Sequence, residues 1–231
     1  MQECLNFDFK LNVRTMNTHK ITCIKYAFFI SIALSACQSA TEKIKVSCVG
    51  DSITEGATIY SESTDGYPEV LNKLLGEDYT VQNAGRSGAT LQKEGDFPYW
   101  HRKEFSNVIH DQPDIIVIKL GTNDTKPQNW NADRFKKDYQ SLIDTFKTIP
   151  THPEIYLCLP APVFKTNWGI NDSTVVNGVI PIISDLATSN NLTLIDLYQG
   201  LNDQSDNFPD GIHPNENGAK SMAEIIAKVI R

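Results

Sequence analysis

The chain divides into short apolar runs separated by stretches in which apolar residues recur every three or four positions. Five runs have the length and β-rich content of strands: 43–50, 79–84, 115–120, 155–159 and 192–197. The third, IIVIKL, follows Pro113-Asp114 and is apolar almost throughout, as a strand covered on both faces of a parallel sheet should be. Between the runs, Phe135, Tyr139, Leu142, Ile143 and Phe146 share one face of a helix predicted over about 132–148. Val175, Val176, Val179, Ile180, Ile183 and Leu186 mark another, where Pro181 predicts a kink or an offset start. Met222, Ile225, Ile226, Val229 and Ile230 mark the last, and 98–110 reads as a surface helix. This alternation predicts one α/β domain, a parallel sheet with helices on both faces.

The N-terminal region breaks the pattern. Lys20 and Lys25 precede an uncharged core over 26–36, the layout of a secretory signal. It falls short of the roughly 20 residues a membrane-spanning helix needs. Leu34-Ser35-Ala36-Cys37 then looks like the lipobox of bacterial lipoproteins, in which Cys37 is acylated and becomes the first mature residue. Met1 lies far upstream of the basic residues and Met16 stands at the expected distance, so residues 1–15 read as an artefact of start-codon choice. The expected organisation is a precursor segment at 1–36, a lipidated tether at 37–42 and a folded domain at 43–231. The expected location is the bacterial cell envelope, with membrane contact only through the Cys37 anchor.

Composition narrows the function classes. The 231 residues, 40% hydrophobic and 21% charged, suit a single core. The net charge of -7 becomes −9 once 1–36, with four cations against two carboxylates, is removed. Nucleic acid needs a basic face and is not an expected partner. Beyond Cys37 only Cys48 and Cys158 remain, each inside an apolar run where a thiol acts as a small hydrophobe. No Cys/His spacing resembles a zinc site, and neither metal nor cofactor is expected. In a doubly wound sheet of order 2-1-3-4-5, the two cysteines lie on strands flanking the third. That is roughly 9–10 Å apart, beyond the ~7 Å limit of a disulfide, so both are expected as free thiols.

The candidate chemistry sits where open α/β sheets bind ligands, beyond the carboxyl ends of the strands. Strand one is followed by Gly50-Asp51-Ser52-Ile53-Thr54, strand two by Asn83-Ala84-Gly85-Arg86-Ser87-Gly88, and strand three by Gly121-Thr122-Asn123-Asp124. Beyond strand five comes Asp210-Gly211-Ile212-His213-Pro214. Each alone also fits a turn or helix cap. Four in this order, all at strand exits, carry a stronger signal.

Over 43–231 the sequence resembles the SGNH hydrolases, the GDSL esterase/lipase family, whose four namesake positions match Ser52, Gly85, Asn123 and His213. The resemblance implies a flavodoxin-like three-layer α/β/α sandwich with a five-stranded parallel sheet, and a serine esterase. The Tyr99-Trp100 and Asn129-Trp130 neighbourhoods look like those of bacterial carbohydrate acetylesterases, including sialate O-acetylesterase-like proteins. A small acyl group, such as acetyl, on a glycan is therefore the expected substrate. A lysophospholipase or thioesterase of the same family is the alternative, to be told apart by an extended apolar channel. From another class, a non-catalytic carbohydrate-binding lipoprotein has no need of the complete residue set.

The residues fit ester chemistry. Ser52 would be the nucleophile, His213 the base that passes the proton to the leaving alcohol, and Asp210 the acid that holds the imidazole tautomer. The backbone N–H groups of Ser52 and Gly85 and the side-chain amide of Asn123 would stabilise the oxyanion, Gly85 leaving room for substrate. Asp51 reads as structural and Asp124 as a turn cap, with His101 and His110 solvated. Arg86 is either exposed for solubility or set to meet an anionic substrate such as a sialate carboxylate. Trp100 and Trp130 either line a sugar site or cover the core.

Overall fold

The computed structural model describes residues 42–231; the expected signal segment, the lipobox-like Leu34-Ser35-Ala36-Cys37 and the expected start at Met16 lie outside them. In chain order the elements are β1 (Ile44–Gly50), α1 (Ser52–Glu55), α2 (Glu62–Asp65), α3 (Tyr67–Leu75), β2 (Tyr79–Gly85), α4 (Lys103–Asp111) and β3 (Ile115–Lys119). There follow α5 (Ala132–Lys147), β4 (Glu154–Leu159), α6 (Asp172–Thr174), α7 (Ile180–Asn190), β5 (Thr193–Asp196), α8 (Leu197–Leu201) and α9 (Glu216–Ile230). The strands pair in parallel in the order β2-β1-β3-β4-β5.

Period-two alternation splits each strand between two cores. Val46, Cys48, Val117, Tyr156 and Cys158 meet α3, α8 and α9 on one face. Val49, Ile116, Ile118, Ile155, Leu157 and Leu159 meet α4, α5 and α7 on the other. All five residues of β3 are buried, which is why its sequence shows no alternation. The expected three-layer α/β/α sandwich is present. Its helices are held as their sequences suggest: Asn131 caps α5 by accepting from the Arg134 N–H, and the five apolar residues read from its periodicity are all fully buried. Each such side chain contributes about 1.5–3 kcal/mol relative to exposure.

Two local readings need correcting, at 98–110 and on α9, while the offset start expected at Pro181 is present, α7 beginning at Ile180 with the proline in its first turn. The stretch 98–110 is a single 3-10 turn, Tyr99–His101, followed by α4, because Tyr99 is drawn inward to donate its hydroxyl to the Ala84 carbonyl. Around Pro181 the chain forms a π turn, Val175–Val179, in which the Ile180 N–H reaches back five residues to the Val175 carbonyl. Pro181, lacking an N–H, cannot continue the ordinary ladder there. On α9 the buried face runs through Ala219, Met222, Ala223, Ile226, Ala227 and Ile230, leaving Val229 on the exposed side. Cys48 and Cys158 are buried and unbonded on β1 and β4, the strands flanking β3. Burial pushes the Cys158 thiol up to about 12 and raises that of Cys48 as well.

Candidate active site

The site begins at the abrupt exit of β1. A Cβ on Gly50 would overlap the Thr54 side chain, so only glycine allows α1 to start one residue past the strand. Asp51 caps that helix through the Ile53 N–H at 3.0 Å and is wholly buried. Its carboxylate is held by Lys119 Nζ at 2.9 and 3.0 Å, and the ammonium also donates to Thr122 Oγ1 at 3.1 Å. This ion pair fastens the exit of β1 to that of β3. It supports the structural reading of Asp51 and gives a role to Lys119, which inside its apolar run had no visible one.

Ser52, the first residue of α1, thus stands on a buried, tied-down base. Its Oγ lies 2.8 Å from His213 Nε2. The imidazole Nδ1 lies 2.7 Å from Asp210 Oδ2, and Asp210 Oδ1 accepts the N–H groups of Ile212 and His213 at 2.8 Å each. Burial raises the Asp210 carboxyl, but these donors outweigh it and hold the group below its ordinary range. A carboxylate so placed fixes the proton on Nδ1 and leaves Nε2 free to accept one from Ser52.

Ser52 and His213 open onto a cleft of about 260 Å³ lined also by Ala57, Ser87, Gly88, Asn123, Lys126, Trp168 and Ile170. Asn123 opens a 3-10 turn just past β3 and is 4% exposed. Its amide donates to the Ala89 carbonyl at 3.2 Å, which fixes the side chain and leaves its second hydrogen available. Gly85 does not take the place expected of it. Its N–H is spent on Asn83 Oδ1 at 3.0 Å, and a Cβ there would overlap the Glu55 backbone, so it is glycine for the packing of α1. Gly88 lines the cleft instead. It occupies the positive-φ position (φ 79) of the turn closed by Ala89 N–H to the Arg86 carbonyl. The N–H groups of Ser52 and Gly88 have no partner among the described residues.

Other candidates lie elsewhere. Arg86 sits 3.5 Å from Glu55 and lines a separate hollow with His101, Arg102, Lys103 and Glu104. Trp100 donates its indole N–H to the Leu91 carbonyl and packs on Phe105, while Trp130 packs on Phe135 and Gly178. Neither tryptophan lines the cleft. Asp124 is not a local cap. It is fully buried and accepts from the Leu91 N–H, the Gln92 N–H and Gln92 Nε2 at 2.9, 2.9 and 3.3 Å, holding the loop behind Asn123. Burial, offset in part by those donors, pushes its carboxyl up to about 6.

Trp168 went unnoticed in the sequence. It and Gly169 form a two-residue turn with φ of 50 and 82, closed by reciprocal backbone bonds between Asn167 and Ile170. Both conformations are left-handed, and for a non-glycine residue this costs about 1–2 kcal/mol. The turn is pinned by Asn171, whose amide donates to the Thr125 carbonyl, and by Gly169 against Pro127. The indole is 59% exposed, its ring centre 5.6 Å from that of His213. An Asn-x-Gly segment bearing an aromatic was the available signal.

Residues 48–220 match the GDSL-like Lipase/Acylhydrolase family model. The chain belongs to this family. With it come the carboxylic ester hydrolases, and the matched residues include every segment that lines the cleft. An acetylxylan esterase of Xylanibacter ruminicola is 40% identical over 209 residues, covering 82% of this chain and 44% of that protein. A multidomain esterase of Ruminococcus flavefaciens is 24% identical, over 80% of this chain and 28% of its own length. The chain therefore spans less than half of these curated relatives. Among solved structures, a carbohydrate acetylesterase family member from Sinorhizobium meliloti superposes with a TM-score of 0.67 at 25% identity, covering 81% of this chain and 97% of that one.

Proposed function

We propose that this GDSL-family protein removes acetyl groups from a polysaccharide of the xylan type through an acyl-enzyme. The observation that carries the reading is the unbroken chain Ser52 Oγ–His213 Nε2, Nδ1–Asp210 Oδ2 at 2.8 and 2.7 Å, opening into the cleft. Ser52 attacks the ester carbonyl as His213 takes its proton. The carbonyl oxygen becomes an oxyanion facing the Ser52 and Gly88 N–H groups and the Asn123 amide. Collapse breaks the bond to the sugar oxygen, which leaves with the proton from His213. Water, deprotonated by the same imidazole, then releases acetate and restores Ser52.

The acetyl assignment draws support from the relative named acetylxylan esterase and from the cleft itself. Its volume is about 260 Å³, and apart from Trp168 its apolar side chains are Ala57 and Ile170, a space suited to a short acyl group. Ser52→Ala should lower aryl acetate hydrolysis by about 10⁴–10⁶ with the fold intact. Near wild-type turnover in that variant would remove Ser52 from the mechanism, and failure of the wild type to release acetate from acetylated xylan would remove the substrate.

We further propose that a lipid on Cys37 holds the protein on the bacterial envelope, a reading supported by Lys20, Lys25 and Leu34-Ser35-Ala36-Cys37. Wild type should fractionate with membranes, and Cys37→Ser should be soluble or unprocessed. Identical soluble fractions would sink the anchor and leave the esterase untouched.

A further inference from the structure

We infer that Trp168 is a sugar-stacking platform on the leaving-alcohol side of the cleft, and that it selects carbohydrate esters over simple ones. The inference rests on the esterase reading and adds to it a binding surface for the part of the substrate that is not cleaved.

The side of the cleft follows from the chemistry. The oxyanion faces the N–H groups of Ser52 and Gly88 and the Asn123 amide. The alcohol oxygen must lie within reach of His213 Nε2 to receive its proton. Whatever the alcohol carries is therefore beside His213, and the ring beside His213 is Trp168, centre to centre 5.6 Å. In an acetyl ester of a polysaccharide, that group is a pyranose. Its C–H faces are apolar and flat, the complement of an exposed indole, while its hydroxyls stay in water or reach polar neighbours. Lys126, which lines the same cleft, is such a neighbour.

Trp168 has little reason to be where it is other than contact with a ligand. Tyr99 and Tyr139 are fully buried, and Trp100 and Trp130 are packed against Phe105 and Phe135. Trp168 is 59% exposed, so it does not cover the core. It also occupies the first position of a two-residue turn with both central φ values positive, where Asn, Asp or Gly is normal. Asn167 Oδ1 accepts the Trp168 N–H at 3.0 Å, and the Gly169 and Asn171 contacts anchor the turn to the 125–127 segment just beyond Asn123. An aromatic ring is thereby held at a fixed place beside the imidazole, with a face open to solvent.

The test compares two alcohols leaving from the same acyl group. Initial rates of acetate release are measured on an acetylated xylo-oligosaccharide and on ethyl acetate, whose alcohol has no ring to stack. Trp168→Ala should lower kcat/KM on the oligosaccharide on the order of 10–100-fold, mainly through KM, the scale of losing an aromatic anchor. On ethyl acetate the change should stay within about threefold, and Trp168→Phe should recover most of the loss. Equal losses on both substrates would make Trp168 a prop for His213 and overturn the inference, as would no loss on the oligosaccharide. Binding to the inactive Ser52→Ala protein gives a readout independent of turnover. Added oligosaccharide should change its tryptophan fluorescence, and the change should vanish in Ser52→Ala/Trp168→Ala. If the wild type cleaves ethyl acetate but not the oligosaccharide, the substrate reading fails; if it cleaves both and Trp168→Ala cleaves the oligosaccharide as fast as the wild type, only the platform fails.

Discussion

The two oxygens of Asp210 have separate tasks. Oδ1 accepts two backbone N–H groups and shapes the loop, while Oδ2 faces the imidazole. Asp210→Asn should keep the first task and reverse the second. Its amide nitrogen would face Nδ1, so the ring proton would move to Nε2, where it blocks proton transfer from Ser52. We expect kcat on an aryl acetate to fall by about 10⁴, the known scale for the wrong tautomer, with the thermal midpoint nearly unchanged. A collapsed midpoint would make the residue structural first. Ser52 and Asn123 were legible because each is a polar residue in a turn just outside an apolar run, and Asp210 and His213 because they share one short turn three residues apart. Gly85 was misread for Gly88 because both are glycines in one turn-rich segment, and only the path of α1 shows which is crowded by backbone. Asn167-Trp168-Gly169 marked a turn, but the place of Trp168 beside His213 could not be read, because it depends on that turn packing against residues about forty positions earlier.

At the scale of elements, Asp124 links the turn after β3 to the loop that follows β2. Its pKa is raised to about 6, against about 3.9 for an ordinary aspartate. Between pH ~4 and ~6 the folded protein therefore holds a proton that the unfolded chain has released, and stability from this group falls as pH rises through that window. Asp210, held below its ordinary value, has the opposite sign and loses its contribution as pH falls. Urea unfolding of wild type and Asp124→Asn across pH 4–7.5 isolates the first effect. The wild-type advantage should shrink with rising pH to about 6 and then level off; an advantage that grew with pH would mean the carboxylate is the better-held form. Strands and long helices could be read because period two and period 3.6 repeat within one segment. Helix α3 was passed over although Tyr67, Val70, Leu71 and Leu74 repeat at helical spacing, because it is only nine residues long and half of that face is partly exposed.

For the whole molecule, the strand order puts the two buried cysteines on either side of the central strand, facing the same core. Neither is exposed at all, and both thiols resist ionisation, so neither should react with an alkylating reagent while the sheet is closed. Fraying of a terminus or opening of the cleft would not reach them. The domain thus contains its own unfolding clock, with two hands on strands that are not neighbours. Site-resolved alkylation rates at Cys48 and Cys158 should agree with each other and rise together with urea if the sheet opens as one unit. Faster labelling at either position would locate a seam along which the sandwich parts before it melts.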